Sequence, residues 1–132
     1  MADVFKLRIV EPDGVFYEGN AFMVELTTTA GQIGVYAGHI PTTLIIAPGV
    51  LKIHEADQVK KASLMSGFIE ILPETVTIMA EVAEWPEEID AKRAEEARIR
   101  AERRLQEHAP GTDILRAEMA LKRALVRLET RE

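Results

Sequence analysis

Residues 5–14 read FKLRIVEPDG, an alternation of apolar and charged side chains that ends in a turn sequence. Successive side chains of a strand point to opposite faces, so Phe5, Leu7 and Ile9 are expected to share a buried face. Pro12-Asp13-Gly14 then supplies turn chemistry, because proline fixes φ and glycine tolerates a positive φ. This segment predicts a half-buried strand followed by a tight turn.

Further short segments downstream have the composition of strands. They are Met23–Thr28, Val50–His54, Val59–Met65, Phe68–Leu72 and Thr75–Met79. Many short strands without helical periodicity between them favour a β-sandwich or barrel over a sheet with crossover helices. We therefore expect antiparallel β-structure in this part of the chain.

The charge divides the chain of 132 residues into two units. Residues 1–86 carry 5 basic and 11 acidic side chains, whereas residues 87–132 carry 11 of each. This predicts a β-domain over residues 1–86 and a second unit over residues 87–132, joined at Trp85-Pro86. The absence of cysteine excludes disulfides and thiolate chemistry. With no apolar run of about 18 residues and no signal region, we expect a soluble, cytoplasmic protein.

Residues 87–132 predict a helical hairpin. The first helix is expected from about Glu88 to Glu107, Pro110-Gly111 ends it, and Thr112 is the expected N-cap of the second. Small apolar side chains recur every three or four residues, at Ala94, Ala97, Ala101 and Leu105 and then at Ile114, Ala117, Leu121, Ala124 and Leu128. These narrow stripes bury little area, so the hairpin should be marginally stable by itself and easily switched.

The sequence carries no recognisable catalytic constellation. It has no GxxxxGK loop, no GxGxxG after a strand, no HExxH and no GxSxG. His39, His54 and His108 lie in a loop, a strand and a helix end, without the spacing of metal ligands. We therefore expect neither an enzyme nor a metal site.

Four arginines of the hairpin are expected to converge. Arg93 and Arg100 share a face of the first helix, and Arg123 and Arg127 share a face of the second. If the two helices fold back on each other about Pro110 as an antiparallel hairpin, all four arginines lie at similar heights along the helix axes. Clustered guanidiniums repel one another unless an anion lies among them, and a polyphosphate suits their planar donor geometry.

Spacing alone favours a simpler interpretation, in which the arginines belong to a solvated face laced with ion pairs. Glu96 with Arg100, and Glu95 with Arg98 or Lys92, would form such pairs. A nucleic-acid-binding adaptor is a more distant alternative. Acidic residues neutralise the segment, and the helices offer no aromatic side chain for stacking.

Three motifs carry a resemblance to a known family. They are Val10–Tyr17 with its turn, Gly34–Pro41 with the sequence GVYAGHIP, and Ser66–Ile71 with the sequence SGFIEI. In this order and at this length, the chain resembles the epsilon subunit of the bacterial F-type rotary ATP synthase over its whole extent. The family fold is a ten-stranded antiparallel β-sandwich followed by a two-helix hairpin.

The resemblance implies a non-catalytic subunit of the central stalk. The sandwich would bind the gamma subunit and the rotor ring of c subunits, with the loop Gly38–Pro41 as the candidate ring contact. The helices would extend towards the alpha/beta catalytic head and restrain ATP hydrolysis. Such a subunit lies peripherally on the cytoplasmic face of the cell membrane, without inserting into it.

The resemblance also implies ATP binding by the folded hairpin, as in bacillus-like members. Their motif of Ile or Leu, Asp, two variable residues, Arg and Ala corresponds to Ile89–Ala94. The positions that match the family's ATP contacts are Glu84, Ile89, Asp90, Arg93, Ala94, Arg100, Arg123 and Arg127. ATP would be a regulatory ligand with no strict need for Mg²⁺, and no other cofactor is implied. The alternative is a purely structural stalk subunit with vestigial nucleotide contacts.

Overall fold

A computed structural model describes residues 3–132 as ten strands followed by two helices. The strands are β1 (Phe5–Glu11), β2 (Gly14–Ala21), β3 (Met23–Thr28), β4 (Gly31–Tyr36), β5 (Thr42–Ile46), β6 (Gly49–His54), β7 (Val59–Leu64), β8 (Gly67–Ile71), β9 (Thr75–Ala80) and β10 (Ala83–Glu84). The helices are α1 (Ala91–Glu107) and α2 (Ile114–Arg131), and a 3₁₀ turn, Pro86–Glu88, precedes α1.

The strands form a sandwich from one hydrogen-bonded path in the order β10-β7-β6-β3-β5-β8-β9-β1-β2, with β4 paired to β3. Alternate side chains point inwards, and Leu7, Ile9, Ile53, Ile69 and Ile78 are completely buried in one core. Antiparallel pairing dominates, but β1 lies parallel to β9, which the sequence pattern did not predict. The expected architecture of a β-sandwich followed by a two-helix hairpin is confirmed.

The predicted start of the first helix at Glu88 is wrong. Residues 86–88 form the 3₁₀ turn, because the Glu88 carboxylate turns back to accept the Trp85 backbone N–H at 2.9 Å. Ile89 is extended, and Asp90 is the N-cap of α1, accepting the Arg93 backbone N–H at 3.1 Å. The helix therefore begins at Ala91, one turn later than its acidic residues suggested.

The predicted N-cap of the second helix is also wrong by one residue. Asp113, not Thr112, caps α2 by accepting the Arg116 backbone N–H at 3.0 Å. The connection before it contains two positive φ angles, 47° at His108 and 85° at Gly111. His108 takes this left-handed conformation as the C-cap of α1.

Small side chains let the two helices pack closely, with Ala94 and Ala101 of α1 and Ala117 and Ala124 of α2 all buried. α2 also packs against β6 and β7, where its Val126 and Thr130 are buried. The predicted stripe omitted this second contact. Within residues 3–132, neither helix combines the length and apolar character that a membrane span requires.

Candidate ligand-binding cleft

A cleft of about 420 Å³ opens where the end of the sandwich, the first half of α1 and the C-terminal end of α2 meet. Its volume lies within the range of roughly 300–1,000 Å³ typical of small-molecule sites. Nine residues line it: Glu84, Glu88, Ile89, Asp90, Arg93, Ala94, Ala97, Arg100 and Arg127.

Local structure explains how these side chains come to face one space. Glu84 belongs to β10 and is fixed by pairing with Ser63 of β7. Ile89 is buried in the extended link before α1, which anchors the approach to the helix. Ala94 on the first turn of α1 is small, so the cleft stays open beside Arg93 and Arg100.

The three carboxylates of the cleft already have partners. Glu88 accepts the Trp85 backbone N–H, and Asp90 accepts that of Arg93. The Glu84 Oε1 atom accepts a hydrogen bond from Arg127 Nε at 2.7 Å. Both side chains of this pair are less than a third exposed, at 27% for Glu84 and 30% for Arg127.

The other two arginines of the cleft have no such partner. Within residues 3–132, neither Arg93 nor Arg100 forms an ion pair with a carboxylate. The pair expected between Glu96 and Arg100 is therefore not formed. Two exposed guanidiniums on one helix face, Arg93 in the first turn of α1 and Arg100 near its middle, favour an anion between them.

The ion pairing expected at Arg98 is present. Its guanidinium binds both Glu95 and Glu102 along α1, and the hydrogen bond from Arg98 lowers the pKa of the Glu95 carboxyl. Arg98 is thus neutralised within its own helix and plays no part in the cleft. The simpler interpretation of a solvated, ion-paired face applies to this part of α1 and not to Arg93 or Arg100.

The cleft contains most of the residues singled out in the sequence. Seven of the eight predicted contact positions line it, and the exception is Arg123, which lies one turn before Arg127 on α2. Glu88 and Ala97 line the cleft but were not predicted. Ala97 lies three residues after Ala94 on the same helical face, so the helical period would have indicated it.

A larger groove of about 540 Å³ runs between α2 and strands β3, β4 and β6. Its charged side chains are mixed in sign, with Glu25 and Glu129 beside Lys52 and Lys122. It gathers no cluster of planar cationic donors. The smaller cleft is therefore the better candidate for a ligand with several negative charges.

Two family models together match residues 4–132 of the chain. The model described as "ATP synthase, Delta/Epsilon chain, beta-sandwich domain" matches residues 4–86. The model described as "ATP synthase, Delta/Epsilon chain, long alpha-helix domain" matches residues 87–132.

Curated relatives are similar over nearly the full length. The chain is 45% identical over 130 residues to an ATP synthase epsilon chain of Caldanaerobacter subterraneus subsp. tengcongensis, covering 98% of this chain and 94% of that one. It is 46% identical over 130 residues to the epsilon chain of Clostridium novyi, covering 98% of both. It is 41% identical over 124 residues to that of Bacillus licheniformis, covering 94% and 95%.

Solved structures share the fold. A chain in the mitochondrial ATP synthase of Euglena gracilis, in an assembly of OSCP, F1 and c-ring, matches with a TM-score of 0.83 and 26% identity, over 96% of this chain and 79% of that one. A chain in the central stalk and c-ring of the Tetrahymena thermophila mitochondrial enzyme matches with a TM-score of 0.63. At 13% identity, over 97% of this chain and 96% of that one, this second match shows the fold alone.

Proposed function

Because this chain belongs to the family of ATP synthase delta/epsilon chains, we propose that it is a non-catalytic central-stalk subunit that couples the rotor to the catalytic head and regulates ATP hydrolysis. Its partners in this role are the gamma subunit, the c-subunit ring and the alpha/beta head. The subunit lies peripherally on the cytoplasmic face of the membrane. The matched chain in an assembly of F1 and c-ring supports the proposed contacts with the ring and the head.

The outer face of the sandwich offers an apolar surface for the stalk contacts. Ile45, Phe68 and Met79 are neighbours across β5, β8 and β9, and they are 63%, 43% and 46% exposed. A contiguous row of exposed apolar side chains is typical of a surface that binds another protein. The loop Gly38–Pro41, with Ile40 exposed at its tip, is the proposed contact with the c-ring.

The mobile hairpin is the regulatory element, and ATP is the ligand that binds in its cleft. The observation that carries this proposal is the pair of unpartnered guanidiniums, Arg93 and Arg100, in a cleft that exists only while the hairpin is folded against the sandwich. We assign the phosphates to these arginines and to Arg127, with Arg123 contributing from the neighbouring turn.

The remaining cleft residues suit the base and ribose. Ile89 and Ala94 offer apolar surface, while Glu84 and Asp90 are acceptors for an amine or a hydroxyl. Carboxylates beside the phosphates would repel the ligand, so Arg127 exchanges its hydrogen bond to Glu84 for one to the phosphates when ATP binds, which leaves the Glu84 carboxylate to the base or ribose. Because Glu84 and Asp90 are assigned to the base and ribose, neither is placed to activate water at the phosphates, and the assigned contacts do not require Mg²⁺.

Ligand binding to the folded state alone shifts the hairpin equilibrium towards that state. The shift grows with the ratio of free ATP to the dissociation constant. A well-supplied cell would therefore keep the hairpin folded and the enzyme uninhibited. Falling ATP would release the helices to restrain hydrolysis.

A purely structural role is the second candidate, and the Glu84–Arg127 pair favours it. The cleft residues include three acidic and three basic side chains, so their formal charges cancel. In that case the arginines would be remnants of a nucleotide site that no longer functions.

Calorimetric titration of the isolated protein with ATP and then with ADP separates the two candidates. We expect reversible ATP binding that persists in EDTA and is lost in Arg93→Ala/Arg100→Ala. Arg116→Ala removes an exposed charge outside the cleft and is the matched control. Failure of ATP to bind the unaltered chain would leave the structural role.

Deleting residues 87–132 tests the division of roles in the assembled enzyme. The sandwich retains its proposed stalk surface, so assembly with the other subunits should persist while the ATPase rate changes. Loss of assembly would show that the hairpin, and not the sandwich, carries the contacts.

A further inference from the structure

We propose that the folded hairpin is held on the sandwich by a lock at the C-terminal end of α2, with the Glu84–Arg127 ion pair at its centre. When this lock opens, α2 leaves the sandwich, and α1, which packs chiefly on α2, leaves with it. The proposal concerns the chain without any ligand. It rests on the proposed mobility of the hairpin and not on the proposed binding of ATP.

Three polar contacts join the last residues of the chain to the sandwich and to the segment that follows it. Arg127 Nε donates to Glu84 of β10 at 2.7 Å. Arg131 Nη1 donates to the Pro86 carbonyl at 3.2 Å, and Lys61 of β7 donates to the Glu132 carbonyl at 3.1 Å. All three cross between the hairpin and residues 61–86, and all three come from residues 127–132 of the hairpin.

Apolar packing is concentrated at the same end. Val126 and Thr130 are buried, and the Thr130 hydroxyl donates to the Val126 carbonyl at 2.7 Å, so no polar group is stranded beneath the helix. Met119 and Leu115 precede Val126 at helical spacing on that face, yet Leu115 is 70% exposed. Docking against the sandwich is thus confined to the C-terminal half of α2.

The Glu84–Arg127 pair is built to act as the centre of this lock. Glu84 is fixed in register by β10–β7 pairing, and the buried Ser63 hydroxyl lies 3.5 Å from the carboxylate oxygen that Arg127 binds. Both charged groups are less than a third exposed, so removing one leaves the other partly desolvated and unpaired. α1 packs chiefly on α2 and therefore depends on it for its position.

The chain has no cysteine, so two cysteines introduced at exposed positions are the only sites that take a spin label. The distance between the two labels then reports whether the hairpin is docked. Spin labels at Asp57, in the turn between β6 and β7, and Glu118 of α2 suit a double electron–electron resonance measurement without nucleotide. We expect one dominant distance in the labelled parent. Glu84→Gln and Arg127→Gln should each raise the ratio of detached to docked hairpin about ten- to a hundredfold.

Two further variants make the test specific. The double variant Glu84→Gln/Arg127→Gln should detach the hairpin little more than either single change, because both remove the same interaction. Arg116→Gln, at the other end of α2, should leave the distance distribution unchanged. Unaltered distributions in both single variants, with the helix content of the parent by circular dichroism, would overturn the proposal. Since no nucleotide is present, failure of ATP binding would not affect this result.

Discussion

The rings of Phe16 and Trp85 are stacked, with centroids 4.4 Å apart and planes inclined by 18°. Tyr17 meets the same indole ring edge-on at 6.3 Å. Trp85 thus remains attached to the sandwich at the point where the chain leaves it for the hairpin. Any movement of the helices must be taken up after this residue, in the 3₁₀ turn and the extended Ile89.

Trp85→Ala should lower the stability of the sandwich by about 2–4 kcal/mol, because it removes a large, partly buried ring from the edge of the core. Trp85→Phe retains an aromatic ring for stacking and should lose much less. Urea unfolding measures both losses of stability. It is followed by circular dichroism, because the substitutions remove the one tryptophan whose fluorescence would otherwise report unfolding. Equal unfolding midpoints for the parent and Trp85→Ala would contradict the role of this contact.

Residues 1–86 expressed alone should remain soluble and rich in β-structure. The core is assembled from strands that precede Trp85, and the hairpin contributes only a small contact through α2. Circular dichroism and thermal unfolding of this fragment check the expectation, with the full chain as the reference. An unfolded or aggregated fragment would show that α2 completes the core.

The strand segments predicted from the sequence correspond to β1, β3, β6, β7, β8 and β9, whereas β2, β4, β5 and β10 were not among them. In β1, buried and exposed residues alternate from Phe5 to Ile9, as the pattern of FKLRI indicates. β4 was missed because its two glycines interrupt the pattern and only Val35 is buried. The short β10 and the parallel neighbours β1 and β9 depend on long-range pairing, which local periodicity does not encode.

The cleft was predictable to the extent that helical spacing sets the height of a side chain. Folding about Pro110 correctly brought Arg93, Arg100 and Arg127 to one region. Rotation of a helix about its own axis is set by tertiary packing, and α2 is rotated so that Val126 and Thr130 meet the sandwich. Arg123 shares the helix face of Arg127 but lies one turn earlier along α2, and this difference in height leaves it outside the lining of the cleft.

Tyr17 should make stability depend on alkaline pH. Burial, and then its hydrogen bond to the Glu55 carboxylate, raise the pKa of its hydroxyl above the ordinary value of 10. The unfolded chain releases this proton at a lower pH than the folded chain, so the stability it contributes is present below about pH 10 and lost above it.

Tyr17→Phe should therefore reduce the loss of stability above about pH 10, while lowering stability at pH 8 by about 1–2 kcal/mol through the lost hydrogen bond. Tyr36→Phe changes the exposed tyrosine and is the matched control. Urea unfolding at pH 8 and at pH 11 gives both quantities. The same pH dependence in Tyr17→Phe as in the parent would rule out this contribution.

Gly67 should tolerate no side chain. Its φ is 138°, and an added Cβ would lie 1.9 Å from the Met79 carbonyl oxygen in the adjacent strand β9. Gly67→Ala should cost more than about 3 kcal/mol, because the β8–β9 pairing must shift as well as the backbone angle.

Gly14→Ala separates these two costs. Gly14 has nearly the same φ, 137°, but an added Cβ would meet no atom within 4 Å. This variant should lose only about 1 kcal/mol from backbone strain. The difference between the two unfolding midpoints measures the collision with Met79, and equal losses would show that conformation alone requires glycine at position 67.

The double variant Asp90→Ala/Arg93→Ala gives the sharpest test of the cleft as an ATP site. Asp90 is both the N-cap of α1 and an assigned acceptor, and Arg93 is an unpaired guanidinium beside it. Loss of charge-assisted hydrogen bonds worth roughly 1.5–3 kcal/mol each should weaken ATP binding by at least about tenfold. Because both side chains are exposed, the sandwich should be unaffected.

Two controls separate ligand binding from helix stability. Asp90→Asn keeps a capping oxygen while removing the charge, so α1 should remain intact. Arg103→Ala removes an exposed arginine of α1 that does not line the cleft and should leave ATP affinity unchanged. Calorimetry measures the affinity, and circular dichroism measures helix content in each variant. If the double variant keeps folded helices and binds ATP as tightly as the parent, Arg93 is merely a solvated surface charge.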